Sequence, residues 1–368
     1  MDELDRKILT EIQKEFPRAP KPFDVLAERA GTPPPSGAQI LDRIKRLKDE
    51  NVLRQISAIF DTKSLGYQST LVAMKFENAQ LDRGAAVINQ HPGVSHNYRR
   101  NDAYNLWFTV AVPPYQSLER TIQKLHELSG ALNTLILPTL KLFKIGVKLD
   151  LTKSNSETMD SKEEIYDESR RRKAPPELTP EHIEAIRALQ EDIPLVERPF
   201  QAIGEASGFS ESHLFELMDF FESKGYLRRF AGILHHRKAG FGANAMVVWN
   251  VSEEKQDEAG EIMARFPQIS HCYKRPIFPD WPYSLYTMVH GPKAEDCEKV
   301  VQKVVQKAGD WPRKNLYSTK EYKKIRLKYF TKELDEWWEK FGDGIVGAGP
   351  CARPLHRAPA GGRPYGRE

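Results

Sequence analysis

Apolar residues recur at helical spacing three times near the start of the chain. Leu4, Ile8, Leu9 and Ile12 mark a stripe over residues 5–15, a second runs over 23–30 and stops at Gly31, and a third covers 37–50. Three short helices with a tight turn predict a winged helix-turn-helix. The period then shifts toward two: residues 56–60 and 69–76 read as strands, 82–90 as a helix, 94–99 and 106–112 as strands, 116–128 as a helix and 134–143 as a closing strand. From residue 69 on, the order strand–helix–strand–strand–helix–strand is ferredoxin-like.

The same pattern returns in the second half of the chain. Asn51-Val52-Leu53-Arg54-Gln55-Ile56-Ser57-Ala58-Ile59-Phe60 aligns with Gly225-Tyr226-Leu227-Arg228-Arg229-Phe230-Ala231-Gly232-Ile233-Leu234 at an offset of 174. His91-Pro92-Gly93-Val94-Ser95-His96-Asn97-Tyr98-Arg99-Arg100 aligns with Phe266-Pro267-Gln268-Ile269-Ser270-His271-Cys272-Tyr273-Lys274-Arg275 at 175. A third block, Tyr104-Asn105-Leu106-Trp107 with Tyr283-Ser284-Leu285-Tyr286, lies at 179 because the second copy carries a longer loop around Ile277–Trp281. The chain therefore reads as a duplicated domain. The fold class predicted is α+β, a tandem of winged helix-turn-helix plus ferredoxin-like sandwich. The expected segments are 1–55 and 56–151, a solvated Ser/Glu/Lys/Arg-rich linker at 152–178, then 179–229 and 230–335. A Gly/Pro/Ala/Arg-rich tail at 342–368 has too few large apolar residues to pack and is expected to be disordered.

Composition narrows the class without choosing a function. The 368 residues suffice for two or more ordinary cores. Cys272, Cys297 and Cys351 are odd in number and scattered, which argues against a disulfide framework and, with no C-x-x-C, against a zinc ribbon or an iron–sulfur site. No stretch approaches the ~18 apolar residues of a membrane helix, and the acidic start Met1-Asp2-Glu3 is unlike a signal peptide; the cytoplasm is the expected compartment. Net charge is only +4 from 55 basic and 51 acidic residues, so the whole chain does not call for a nucleic-acid partner.

The helix-turn-helix plus sandwich resembles the Lrp/AsnC regulators. The blocks His91–Asn101 with Tyr104-Asn105-Leu106-Trp107-Phe108, Leu227–Phe241, Ser270–Pro276 and Phe278-Pro279-Asp280-Trp281-Pro282-Tyr283 are more particular: they look like the two subunit types of the siroheme decarboxylases, here fused, over about residues 1–150 and 179–335. The resemblance implies removal of the two acetate carboxyls at C12 and C18 of siroheme, giving 12,18-didecarboxysiroheme for haem or haem d1 biosynthesis. It implies no required cofactor, the iron arriving with the substrate, and partners limited to siroheme and its decarboxylated product. An internal pseudo-dimer that can pair again, with no membrane and no DNA, completes that expectation.

The residue types suit such chemistry. Siroheme bears eight carboxylates, and Arg99, Arg100, Arg237, Lys238, Lys274 and Arg275 fall in or beside the repeated blocks, where arginine forks can bind carboxylates. Loss of CO2 leaves carbanion character that needs a proton, and a histidine of near-neutral pKa suits that task; His96, His235, His236 and His271 are candidates, with Tyr98 and Tyr273 as donors or secondary acids. Strand alternation puts His96, Tyr98 and Arg100 on one face, and His271, Tyr273 and Arg275 likewise. Trp107, Trp281 and Phe278 read first as packing, with Trp281 carried as a candidate wall for the macrocycle. Either the pocket using His235–Lys238 and His271–Arg275 is the better equipped, or each half lends residues to a site between the sandwiches.

Two other classes use the same features. An Lrp-type regulator would place the third helix of each unit in the major groove; residues Arg43, Lys45, Arg46 and Lys48 permit this in the first unit, but the acidic run from Glu211 to Glu222 does not in the second. A non-catalytic haem sensor would use the same histidines as axial ligands.

Overall fold

The computed structural model describes residues 1–31, 34–145, 177–234 and 243–342. Helices α1 (Glu3–Lys14), α2 (Pro22–Ala30) and α3 (Gly37–Asp49) form the first helix-turn-helix unit. Asp2 with Asp5 and Ser36 with Gln39 form reciprocal capping boxes that set the starts of α1 and α3. After a strand β1 (Leu53–Phe60) come β2 (Gln68–Lys75), α4 (Leu81–Asn89), β3 (Val94–Arg100), β4 (Leu106–Val112), α5 (Leu118–Ser129), β5 (Asn133–Leu137) and β6 (Lys141–Ile145). The second copy supplies α6 (Pro180–Leu189), α7 (Pro199–Ser207), α8 (Glu211–Ser223), β7 (Leu227–Leu234), β8 (Ala243–Trp249), α9 (Gln256–Ala264), β9 (Ile269–Lys274), β10 (Leu285–Gly291), α10 (Ala294–Ala308) and β11 (Arg313–Lys324). The architecture is the α+β tandem expected from the repeats.

The two copies are laced together. Strand β1 pairs antiparallel with β7, so the segments leaving the two helix-turn-helix units form one ribbon, with Ile56 opposite Gly232. Phe16 of the first unit meets Phe200 and Phe230 of the second at ring separations of 6.3 and 6.0 Å, giving both units a single core. The other strands form one nine-stranded sheet in the order β5-β2-β4-β3-β11-β8-β10-β9-β6. Its two outermost strands, β5 and β6, are joined by only residues 138–140, so the sheet must curl until its edges adjoin. One apolar layer lies under α4 and α5, another under α9 and α10, and a third fills the inside of the curl with residues from both copies, among them Trp107, Leu137, Trp281 and Leu316.

Sequence periodicity merged two strands here. The strand expected at 134–143 is β5 followed by β6: β5 pairs with β2 of its own copy, and β6 leaves to pair with β9 of the other. Pro138, with no N–H to give, stands at the break. In the second copy the corresponding strand, β11, is unbroken and makes the same exchange, Arg313–Tyr317 pairing with β8 and Ser318–Lys324 with β3. Beyond it, α11 (Lys332–Phe341) carries the second copy past the expected end at 335 and buries Trp337 and Trp338 over the first copy's helical layer. The expected linker, apart from Glu177 and Leu178, and the expected tail from residue 343 on lie outside the described residues. Among the described residues no helix is long and apolar enough to cross a membrane.

Candidate functional site

Strands β3 and β9 carry the repeated Ser-His-x-Tyr-x-Arg, and their alternation survives in the structure. His96 and Tyr98 have ring centroids 6.4 Å apart, and the Arg100 guanidinium lies 5.9 Å from the Tyr98 ring. In the other copy His271 stacks at 5.9 Å on Tyr273, and Arg275 sits 4.8 Å from that ring. Asn97 points the other way, donating to Asn89 on α4 at 2.9 Å, which places His96 and Tyr98 on the inner face of the curled sheet. Gly93 lets the first strand start tightly: a Cβ there would lie 2.0 Å from the Ala111 carbonyl oxygen.

Each histidine is oriented by its preceding serine. Ser95 Oγ lies 3.0 Å from His96 Nδ1 and 2.9 Å from Thr109 Oγ1. Ser270 Oγ lies 2.7 Å from His271 Nδ1 and 2.6 Å from His290 Nε2. Both rings are half-buried, which leaves an edge open to a ligand. Sequence reasoning expected near-neutral acids; the surroundings dictate otherwise. Burial lowers the His96 pKa, with Lys324 and Arg54 adding to it against Glu321. Burial brings His271 down to about 4, aided by His290, Arg275, His96 and Lys144. Both rings are therefore neutral at pH 7 in the free protein, and His96 lies close enough to act electrostatically on His271.

The predicted cations divide into two groups. Arg100 and Arg275 are buried, and each donates from Nη1 to a backbone carbonyl of the opposite copy, Arg100 to Leu316 at 2.6 Å and Arg275 to Leu137. Forks expected to reach substrate carboxylates thus fasten the exchanged last strands, because burial leaves them few other acceptors. Burial lowers the Arg100 pKa to about 10, so it stays charged. Arg99 lies on the outer side, where with Asn78, Asn101, Thr319 and Lys320 it lines an open groove of about 520 Å³. Lys274 pairs with Asp257 at 3.5 Å.

Trp281 is not a macrocycle wall in this conformation. It is 1% exposed, packs 5.5 Å from both Tyr104 and Trp107, and donates its indole N–H to Tyr286 at 2.8 Å. The inserted loop turns back through reciprocal backbone bonds between Phe278 and Trp281, driving the indole between the copies, while Asp280 accepts from Tyr104 at 2.6 Å. Burial raises the Tyr273 pKa, so its phenol keeps its proton. His235, His236, Arg237 and Lys238 lie outside the described residues.

Several neighbours escaped the sequence reading. Lys324 stands opposite His96 in the β3–β11 register, whereas Ile145 stands opposite His271 in the β9–β6 register. Arg54, from β1, adds to the positive field at His96. His290 faces Ser270, yet no repeat marks it, since the first copy puts Ala111 at that place. Only the repeated Ser-His pair could have been noticed from sequence.

The helix-turn-helix cations are committed within the chain. Arg43 bonds Asp2 and the buried Asp5 at 2.7 and 2.8 Å, Arg46 bonds Asp5 at 2.6 Å, and Lys48 pairs with Asp192.

Comparison with known proteins fits this geometry. A model described as the AsnC-like ligand binding domain matches residues 64–144 and 238–323, and one described as the siroheme decarboxylase NirDL-like HTH domain matches 5–54 and 183–228. A siroheme decarboxylase of Hydrogenobacter thermophilus is 37% identical over 91% of this chain and 97% of its own length. The siroheme decarboxylase beta subunit of Methanosarcina barkeri is 40% identical over 40% of this chain and 96% of its own. The crystal structure of the siroheme decarboxylase NirDL in co-complex with an iron-uroporphyrin III analogue superposes with a TM-score of 0.73 at 32% identity, over 92% of this chain and 98% of that one. With two helix-turn-helix units, two exchanged sandwiches and a full-length likeness of this strength, the chain belongs to the siroheme decarboxylase family.

Proposed function

We propose that this chain is a carboxy-lyase that removes the C12 and C18 acetate carboxyls of siroheme, yielding 12,18-didecarboxysiroheme. The observation that carries the reading is the duplicated Ser-His-x-Tyr on the inner face of one curled sheet, with His96 acting electrostatically on His271. In each event the bond between the acetate methylene and its carboxyl carbon breaks. CO2 leaves, the electron pair stays on the methylene and delocalises into the macrocycle, and one proton from a histidine converts it to a methyl. No electrons change hands overall, so the reading assigns no resident metal, nicotinamide or flavin; the iron belongs to the substrate.

The polyanion itself helps to prepare the acid. Carboxylates arriving near the neutral His96 imidazole favour its protonated form, so binding raises there the pKa that burial holds down. Arg54 and Lys324 are proposed to receive carboxylates beside His96, Tyr98 and Tyr273 to donate hydrogen bonds, and His235, His236, Arg237 and Lys238 to supply further binding groups. The pseudo-dimer in one chain supplies both histidine strands. Cys272 and Cys297 are buried and in no disulfide, in keeping with a cytoplasmic setting.

The test is anaerobic incubation of the purified chain with siroheme, followed by mass spectrometry. Loss of two CO2 units is expected, and His271→Gln should slow it by about 100-fold with siroheme absorbance titrations little changed. An intact tetrapyrrole bound by the chain would mean sensing instead of catalysis.

A further inference from the structure

The two histidine strands are alike in sequence and unlike in what stands behind them. Behind His96 the serine hydroxyl meets another hydroxyl, that of Thr109 at 2.9 Å, which stores no exchangeable charge near neutral pH. Behind His271 the serine hydroxyl meets an imidazole, His290 Nε2 at 2.6 Å. His290 lies near the end of β10 and, like His271, is half-buried. Resting on the decarboxylase reading above, we propose that His290, acting through Ser270, is a positioning and proton-resupply residue for His271, making the second copy's strand the self-replenishing proton donor.

The relay balances. At the start His290 carries protons on both ring nitrogens, Ser270 carries its own, and His271 is neutral with its proton on Nε2, accepting from Ser270 at Nδ1. As the methylene of the departing acetate takes the His271 Nε2 proton, the Ser270 proton passes to His271 Nδ1. The His290 Nε2 proton passes to Ser270 Oγ. One N–H bond at His290 is lost and one C–H bond is gained, CO2 departs, and every imidazole ends neutral. His271 thus delivers a proton without first becoming an imidazolium, an advantage for a ring that burial and its neighbours keep neutral. The groups with which His271 interacts electrostatically are His290 from β10, Lys144 from β6, Arg275 from its own strand and His96 from β3. Three of these four can change charge only with difficulty or belong to the other strand; His290 is the one hydrogen-bonded to the shared serine.

Four chains distinguish the relay from mere packing: wild type, His290→Gln, Ser270→Ala and Ser95→Ala. Each is incubated anaerobically with siroheme from pH 6 to 8.5, approximately, and decarboxylation is followed by mass spectrometry while siroheme binding is followed by absorbance. Wild-type turnover must be present; if it is absent, the decarboxylase reading fails and not the relay. His290→Gln keeps a hydrogen-bonding group but no titrating one. It should bind siroheme as wild type does, turn over about 100-fold more slowly, and lack the decline in rate with rising pH that the relay requires of wild type. Ser270→Ala should lose the same limb, and Ser95→Ala should keep it. A His290→Gln chain with wild-type rate and pH profile, or a Ser95→Ala chain that loses the limb as Ser270→Ala does, overturns the proposal.

Discussion

Arg100 in the first copy donates to the carbonyl oxygen of Leu316 in the second at 2.6 Å, and by the internal symmetry Arg275 donates to Leu137. Each last strand is pinned at the point where it crosses to the other copy. The halves are therefore one folding unit, and both histidine strands belong to one sheet because both exchanges are made.

Replacing Arg100 by Met removes a buried charged donor and orphans a carbonyl. Stability should fall by ~2–3 kcal/mol. The half-exposed Arg99→Met should change it by less than ~0.5 kcal/mol. Urea unfolding of the two variants, followed by circular dichroism, measures the contrast; equal losses would show that Arg100 is not a staple.

Acid should weaken the fold through its buried histidines. His91, enclosed against Trp337 at 4.5 Å, is lowered by burial and by Lys323 to about 3, and His271 to about 4. A histidine whose folded pKa lies below its unfolded value binds fewer protons when folded, so stability is full above about pH 6.5 and declines as pH drops toward 4 and then 3. At pH 5.5 each should cost roughly 1 kcal/mol. His91→Gln should flatten the dependence of the urea midpoint on pH between 6.5 and 4; an unchanged slope would remove His91 as a contributor.

The field around His96 predicts a salt-dependent affinity. Lys324→Met and Arg54→Met should each weaken siroheme binding by about tenfold at low ionic strength and by less at high salt. Absorbance titrations at two salt concentrations read this directly, and affinities equal to wild type at low salt would place the substrate elsewhere.

The helix-turn-helix units should not hold DNA. Arg43 and Arg46 are occupied by Asp2 and Asp5, and the opposite helix presents Asp219 and Glu222 to Arg18. Fluorescence anisotropy with random and genomic duplexes at moderate salt should show no retention; tight, sequence-dependent binding would restore a regulatory role to α3.

What the sequence by itself determined is local and repeated. Helical spacing of Ile8, Leu9 and Ile12, the Ser95-His96 and Ser270-His271 pairs, and the alternation that puts His96 with Tyr98 all follow from short-range geometry, and duplication made them visible. Tertiary structure decided what those residues meet. The β5–β6 exchange, the burial of Arg100, Arg275 and Trp281, and the approach of His290 to Ser270 depend on strands far apart in sequence being hydrogen-bonded or curled together. Periodicity reports which face a side chain takes, not which partner that face will find; the partner sets burial, and burial turned an expected near-neutral acid at His271 into a neutral ring and an expected carboxylate clamp at Arg100 into a staple.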